Sequence, residues 1–182
     1  MKAPEHIYRL LKQFWDANNR EPNHGEEEVW PAGNTYTNHW FAPTYMVDMG
    51  NGDFIGGGVP LRNRVYMELQ PLLSQWVSGL SLEPVSLYGI RVYTNGAILA
   101  PHVDRLPLVT SAIINIAQDV QEDWPLEVYG HDGIARNITM EPGDMILYES
   151  HSVIHGKSTL THPILTIAQK LHSLFHGYYL LL

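Results

Sequence analysis

Residues 93–104 read YTNGAILAPHVD and residues 141–156 read EPGDMILYESHSVIHG; what these two stretches do together decides the fold. His102 and Asp104 are separated by one residue, so on a β-strand both side chains leave the same face. A third ligand from a distant strand would complete a set of two imidazoles and one carboxylate. Such a set holds one face of an octahedral ion and leaves the other positions open, which suits non-haem Fe(II) that must bind a co-substrate and oxygen. His151 and His155 compete for the third place. The Pro142-Gly143-Asp144 turn, the strand after it and Gly156 directly behind the ring favour His155.

The sequence around these stretches has the texture of short strands. Val85 to Tyr93 is rich in β-branched and aromatic residues, and Asn95-Gly96 can make a tight turn before a strand from Ile98 to Asp104. Leu108 to Ala117 is almost continuously apolar, as expected of a strand buried on both faces. Short strands are predicted at Leu126–Tyr129, Ala135–Met140 and Asp144–Glu149, with turns at His131-Asp132-Gly133 and Pro142-Gly143.

Upstream the pattern is helical. Ile7, Leu10, Leu11 and Phe14 recur at three- and four-residue steps within a helix predicted over residues 4–18. A second helix is predicted over 61–79, with Val65, Leu69, Leu72, Leu73, Trp76 and Val77 on its apolar stripe and Pro71 kinking or splitting it. Between them lie a polar loop at 19–35, whose acidic run Glu26 to Glu28 reads as solvated surface, and an aromatic stretch at 36–49 with one or two short strands. The glycine-rich segment 50–60 matches no phosphate-binding pattern and reads as a mobile loop able to cover a site. Helices first and many short strands afterwards predict a mainly β, α+β chain: a single domain over 1–182, with 1–83 as helical support and 84–182 as the β core.

Composition narrows the function classes. A formal charge of −8 and the lack of any lysine/arginine cluster argue against a nucleic-acid partner. The absence of cysteine removes disulfides, thiolate metal sites and thiol nucleophiles. No stretch has the length of a membrane span, and the first residues lack the apolar core of a signal peptide, so the expectation is a cytoplasmic protein without a membrane partner. His6, His24, His39 and His131 have no partner at ligand spacing and read as structural or surface residues.

Residues 84–156 resemble the catalytic core of the 2-oxoglutarate- and Fe(II)-dependent oxygenases, above all the prolyl 4-hydroxylase-like branch. The resemblance rests on Arg91, Tyr93 and Gly96 ahead of His102-Val103-Asp104, on the strand SAIIN, and on EPGDMILYESHSVIHG. It implies a double-stranded β-helix, or jelly-roll, with iron held by His102, Asp104 and His155 and 2-oxoglutarate as co-substrate. It also implies an unidentified peptide or small-molecule substrate, peptidyl proline among the candidates, and ascorbate as the family-type reductant. Tyr93 matches a tyrosine that lines the co-substrate pocket in relatives, and Asn115 falls where relatives carry a tyrosine near the distal carboxylate.

The sequence departs from that pattern in two places. QEDWPLEVY stands where relatives have a Gly-Gly-x-Thr element. Relatives also place a lysine or arginine nine to eleven residues past the last histidine to pair with the distal carboxylate, whereas no lysine or arginine occurs from 158 to 169. Lys157 lies too close along the strand to be an obvious substitute, and Lys170 is late. Three explanations stay open: another residue supplies the charge, the segment after His155 departs from the family ending, or the protein is a catalytically impaired relative. From 157 onward the chain has no acidic residue, and either a strand at Ile164–Ala168 or a helix at Leu165–Phe175 fits it. A cupin-like metal-binding protein without oxygenase activity is the rival from another class, disfavoured because its two-histidine-plus-glutamate motif is replaced here by His102-Val103-Asp104.

Overall fold

The computed structural model describes residues 1–19, 25–29 and 42–157, together with the backbone of 170–180. Helix α1 runs Glu5–Asn18 and α2 runs Val59–Trp76. The strands are β1 (Glu26–Glu27), β2 (Thr44–Val47), β3 (Leu82–Tyr93), β4 (Leu99–His102), β5 (Thr110–Asp119), β6 (Leu126–Tyr129), β7 (Ala135–Ile138), β8 (Met145–Tyr148), β9 (Ile154–Lys157) and β10 (Lys170–Leu180). They form a six-stranded sheet in the order β1-β2-β3-β10-β5-β8 and a four-stranded sheet in the order β4-β9-β6-β7. Every pairing is antiparallel.

Strand alternation sorts the larger sheet into two faces. Ile90 and Val92 of β3 and Ala112, Ile114 and Ile116 of β5 are buried against Ile7, Leu11, Phe14 and Trp15 of α1 and Val65, Leu69 and Leu73 of α2. The intervening residues point the other way. Tyr93 packs with Leu99 and Trp124, and Ile113 with Leu126, Met140 and Tyr148, so the second face looks onto the smaller sheet. The helices therefore cover the back of the larger sheet, and its front looks into the space between the sheets.

Several expectations need correction. α2 continues through Pro71 because both Pro71 and Met67, whose carbonyl the missing N–H leaves open, are on the solvent side, where water serves that carbonyl. Trp76 is 42 % exposed and lies off the apolar stripe. The glycine-rich loop does not reach the space between the sheets. Asn18 clamps it to the end of α1, its Nδ2 donating to the Ile55 carbonyl at 3.0 Å and its Oδ1 accepting from the Ile55 N–H at 2.8 Å. β2 falls in the stretch 36–49 where short strands were expected, while β1, at Glu26–Glu27, stands where a loop was expected; both extend the larger sheet beyond β3. The segment Lys170–Leu180 is a strand, not the helix considered for 165–175; the alternative at Ile164–Ala168 lies outside the described residues. Among the described residues no helix is long and apolar enough to cross a membrane.

Candidate metal centre

β4 and β9 pair so that His102 and His155 are register partners, with ring centroids 4.4 Å apart. The approach of these strands depends on Gly156. A Cβ there would lie 2.8 Å from the Leu99 carbonyl oxygen and 3.0 Å from the Pro101 nitrogen, closer than side chains tolerate. Each imidazole is oriented by its own strand: His102 Nδ1–H donates to the Ala100 carbonyl at 2.7 Å, and His155 Nδ1–H donates to the Val153 carbonyl at 3.0 Å. A carbonyl can only accept, so in each neutral ring the lone pair sits on Nε2. Both Nε2 atoms turn toward Asp104 Oδ1, at 3.6 Å from His102 and 3.9 Å from His155. The three ligand atoms lie within 4.8 Å of one another.

Asp104 reaches this position differently from the strand expectation. β4 ends at His102, and Asp104 is fixed beyond it by its N–H donating to the Ser150 carbonyl at 2.7 Å. Ser150 Oγ donates to the Leu108 carbonyl at 2.9 Å, and Ser111 Oγ lies 2.7 Å from Ser150 Oγ and 3.3 Å from Asp104 Oδ2. One carboxylate oxygen is thus tethered to β5 while the other faces the imidazoles. His151 Nδ1–H donates to the Asp104 backbone carbonyl at 2.8 Å, so it braces the aspartate and does not join the cluster. His131 is an exposed partner of Glu149 at 2.8 Å and His6 of Glu68 at 2.9 Å; His24 and His39 lie outside the described residues.

The electrostatics match the form metals bind. Burial, helped by the neighbouring His102, pushes His155 down to about 4, which keeps its imidazole neutral near pH 7. Burial works against the charge of Asp104, but His102, His155 and Ser150 outweigh it and hold the carboxyl below its ordinary value. Tyr148 packs edge-on against His155, with centroids 4.7 Å apart, and its buried phenol stays protonated well above the usual range. Two imidazoles that present Nε2 and one carboxylate, all converging, fit a divalent transition metal.

The remaining sequence candidates lie deeper between the sheets. Tyr93 is 1 % exposed, stands edge-on to Trp124 at 5.0 Å and adjoins Arg91; burial raises its phenol to about 12 against the pull of that guanidinium. Asn115 is also 1 % exposed. Its Nδ2 is engaged by Gln118 Oε1 at 2.7 Å and the Met140 carbonyl at 3.1 Å, while Oδ1 has no hydrogen-bond partner among the described residues. What Asn115 offers the interior is therefore an acceptor, not a donor.

Two features escaped the sequence reading. Glu28, expected on a solvated acidic surface, forms a nearly buried bidentate pair with Arg91: Nε donates to Oε2 at 2.7 Å and Nη2 to Oε1 at 2.8 Å. Only Glu26 and Glu27 are exposed as expected. Lys157, set aside as too close to His155, lies on the same inward face of β9 two residues further on and is 5 % exposed. Its Nζ donates to the Trp124 carbonyl at 2.8 Å and sits 4.4 Å from the Trp124 ring centroid. Burial pulls its pKa from 10.5 to about 7. The signal was present, since alternation that sends His155 inward also sends Lys157 inward.

No family model matches the chain, and no curated protein matches its sequence. Solved structures do. A Pseudomonas putida prolyl-4-hydroxylase is 17% identical with a TM-score of 0.57, covering 94% of this chain and 86% of its own. A prolyl hydroxylase from Trichoplax adhaerens, in complex with a hypoxia inducible factor oxygen degradation domain peptide fragment, is 11% identical with a TM-score of 0.62, covering 97% and 80%. An oxidoreductase of the 2OG-Fe(II) oxygenase family from Burkholderia pseudomallei is 12% identical with a TM-score of 0.62, covering 96% and 78%. At these identities the likeness is one of fold: the chain shares the architecture of those proteins.

Proposed function

We propose that this chain is an Fe(II)- and 2-oxoglutarate-dependent dioxygenase built as a single-domain double-stranded β-helix, hydroxylating an organic substrate of which peptidyl proline is the first candidate. The observation that carries this reading is the convergence of His102 Nε2, His155 Nε2 and Asp104 Oδ1, each oriented by a hydrogen bond from its other side. Iron and 2-oxoglutarate bound there would supply oxidative decarboxylation coupled to C–H hydroxylation. The chain's own contribution is placement. His102, Asp104 and His155 would hold the metal by one face, and Tyr93, with Asn115 behind it, would border the co-substrate. Trp124, Leu99 and Tyr148 keep that interior dry, which strengthens each charged contact inside it. The peptide complex of the Trichoplax adhaerens neighbour supports a peptide substrate.

A second reading, an iron-binding relative without turnover, is favoured by the lack of lysine or arginine from 158 to 169. Anaerobic titration of the Fe(II)-loaded protein with 2-oxoglutarate distinguishes the two. A weak visible charge-transfer band followed by succinate formation in air is the expected result. The band without succinate selects the second reading, and iron binding with neither removes the co-substrate altogether.

A further inference from the structure

Among the described side chains, Arg91 and Lys157 are the arginine and lysine buried in the fold, and their charges are handled in opposite ways. Arg91 is matched by both oxygens of Glu28. For Lys157 no carboxylate partner is found among the described residues; its Nζ meets a backbone carbonyl and the face of Trp124. Burying an ammonium group beside a dipole and a ring, without an anion, is costly, and proteins tolerate it where an anion completes the site. The position is specific as well. Lys157 shares a strand face with His155, one strand dipeptide or about 6.6 Å further along. A dicarboxylate whose one end reached the His155 side would extend its other end toward Nζ. The same Trp124 ring that receives Nζ stands edge-on to Tyr93, so ammonium, indole and phenol form one lining.

We propose that Lys157 is the anchor for the distal carboxylate of a 2-oxo dicarboxylic co-substrate, replacing a basic residue further along the chain. Two of the three ammonium protons remain for that carboxylate after the Trp124 carbonyl has taken one. The assignment rests on the co-substrate reading above, and it predicts selection for a dicarboxylate over a 2-oxo acid with no distal carboxylate.

The test compares wild type with Lys157→Met and Lys157→Arg, each loaded with Fe(II) under anaerobic conditions and titrated with 2-oxoglutarate or 2-oxobutyrate while the charge-transfer band is followed. Lys157→Met is expected to weaken 2-oxoglutarate by about 10- to 150-fold, the worth of a hydrogen bond between charged groups, and to leave 2-oxobutyrate nearly unchanged. Lys157→Arg should restore most of the preference. Equal Fe(II) affinity of the three proteins shows that the variants fold. Overturning results are a Lys157→Met protein that keeps the wild-type preference, or equal weakening toward both acids. A wild-type protein that binds iron yet gives no band with either acid overturns the co-substrate reading itself, and this assignment with it.

Discussion

Replacing Glu28 by Ala tests the charge arrangement of the interior most directly. The Glu28–Arg91 pair has two N–H···O contacts of 2.7 and 2.8 Å, and its side chains are 12 % and 10 % exposed. Thr44 Oγ1 donates a third hydrogen bond to Glu28 Oε2 at 2.9 Å. Removing one partner leaves a guanidinium in a dry site beside Tyr93, and breaking a buried pair in this way costs about 3–5 kcal/mol. An exposed pair would cost about 0–1 kcal/mol. The double replacement Glu28→Leu with Arg91→Met removes both charges at once and should recover most of the loss, because a paired charge in the interior gains little over well-packed apolar atoms. The measurement is urea unfolding of wild type, Glu28→Leu, Arg91→Met and their double variant near pH 7, analysed as a double-mutant cycle, with Glu28→Ala unfolded beside them. A Glu28→Ala cost near 1 kcal/mol, or a double variant as unstable as the sum of the single ones, would refute the description of Glu28 as an interior counter-ion. The same proteins also examine Arg91 as a rival anchor. If Glu28→Ala tightened 2-oxoglutarate binding, the freed guanidinium would be competing with Lys157.

Further outcomes follow from the metal centre and its neighbours. Gly156→Ala should force β4 away from β9 and lower Fe(II) affinity at least tenfold, with a stability loss of about 1–3 kcal/mol, checked by anaerobic metal titration and urea unfolding. His151→Ala should retain iron but weaken it by about 10–100-fold through loss of the brace on the Asp104 carbonyl, whereas His155→Ala should abolish specific binding. Lys157→Met should make the metal-free protein more stable by about 2–4 kcal/mol. Burial depresses the folded-state pKa of Lys157 to about 7 from 10.5, so between those values the unfolded chain holds a proton that the folded chain lacks. The penalty is therefore complete below pH 7 and fades toward pH 10.5, and the stability gap between variant and wild type should narrow over that range. A gap independent of pH would show that Lys157 is solvated.

The parts of this molecule that follow from local pattern were legible in the sequence. A nearly continuous apolar run located β5 to within two residues, short runs bounded by turn residues located β6 and β8, and the helical stripe located α1. His102, Asp104 and His155, which converge in the fold, stood out because their residue types are chemically unusual together. What alternation cannot show is how an inward charge is satisfied. Arg91 and Glu28 are 63 positions apart, and nothing near either one names the other. Asp104 is placed by Ser150 and Ser111, whose small hydroxyls carry no periodic signal. Pro71 misled because its effect depends on which side of the helix faces water. Lys157 was passed over for its closeness to His155 along the strand, although the alternation that turns His155 inward turns Lys157 inward as well.

The place of β10 at the middle of the larger sheet carries a consequence for assembly. β3 and β5 both run antiparallel to β10, so they run parallel to each other and are held about 9.6 Å apart by the strand between them. The three converging side chains, His102, Asp104 and His155, sit on β4, on the segment just after it, and on β9, and their braces come from β5 and the loop after β8. All of these are synthesised before β10. The wall that carries Arg91 and Tyr93 joins β5 only when β10 arrives. Deleting β10 would therefore leave β4, β9 and β5 with their own pairings but cut the wall of Arg91 and Tyr93 away from β5.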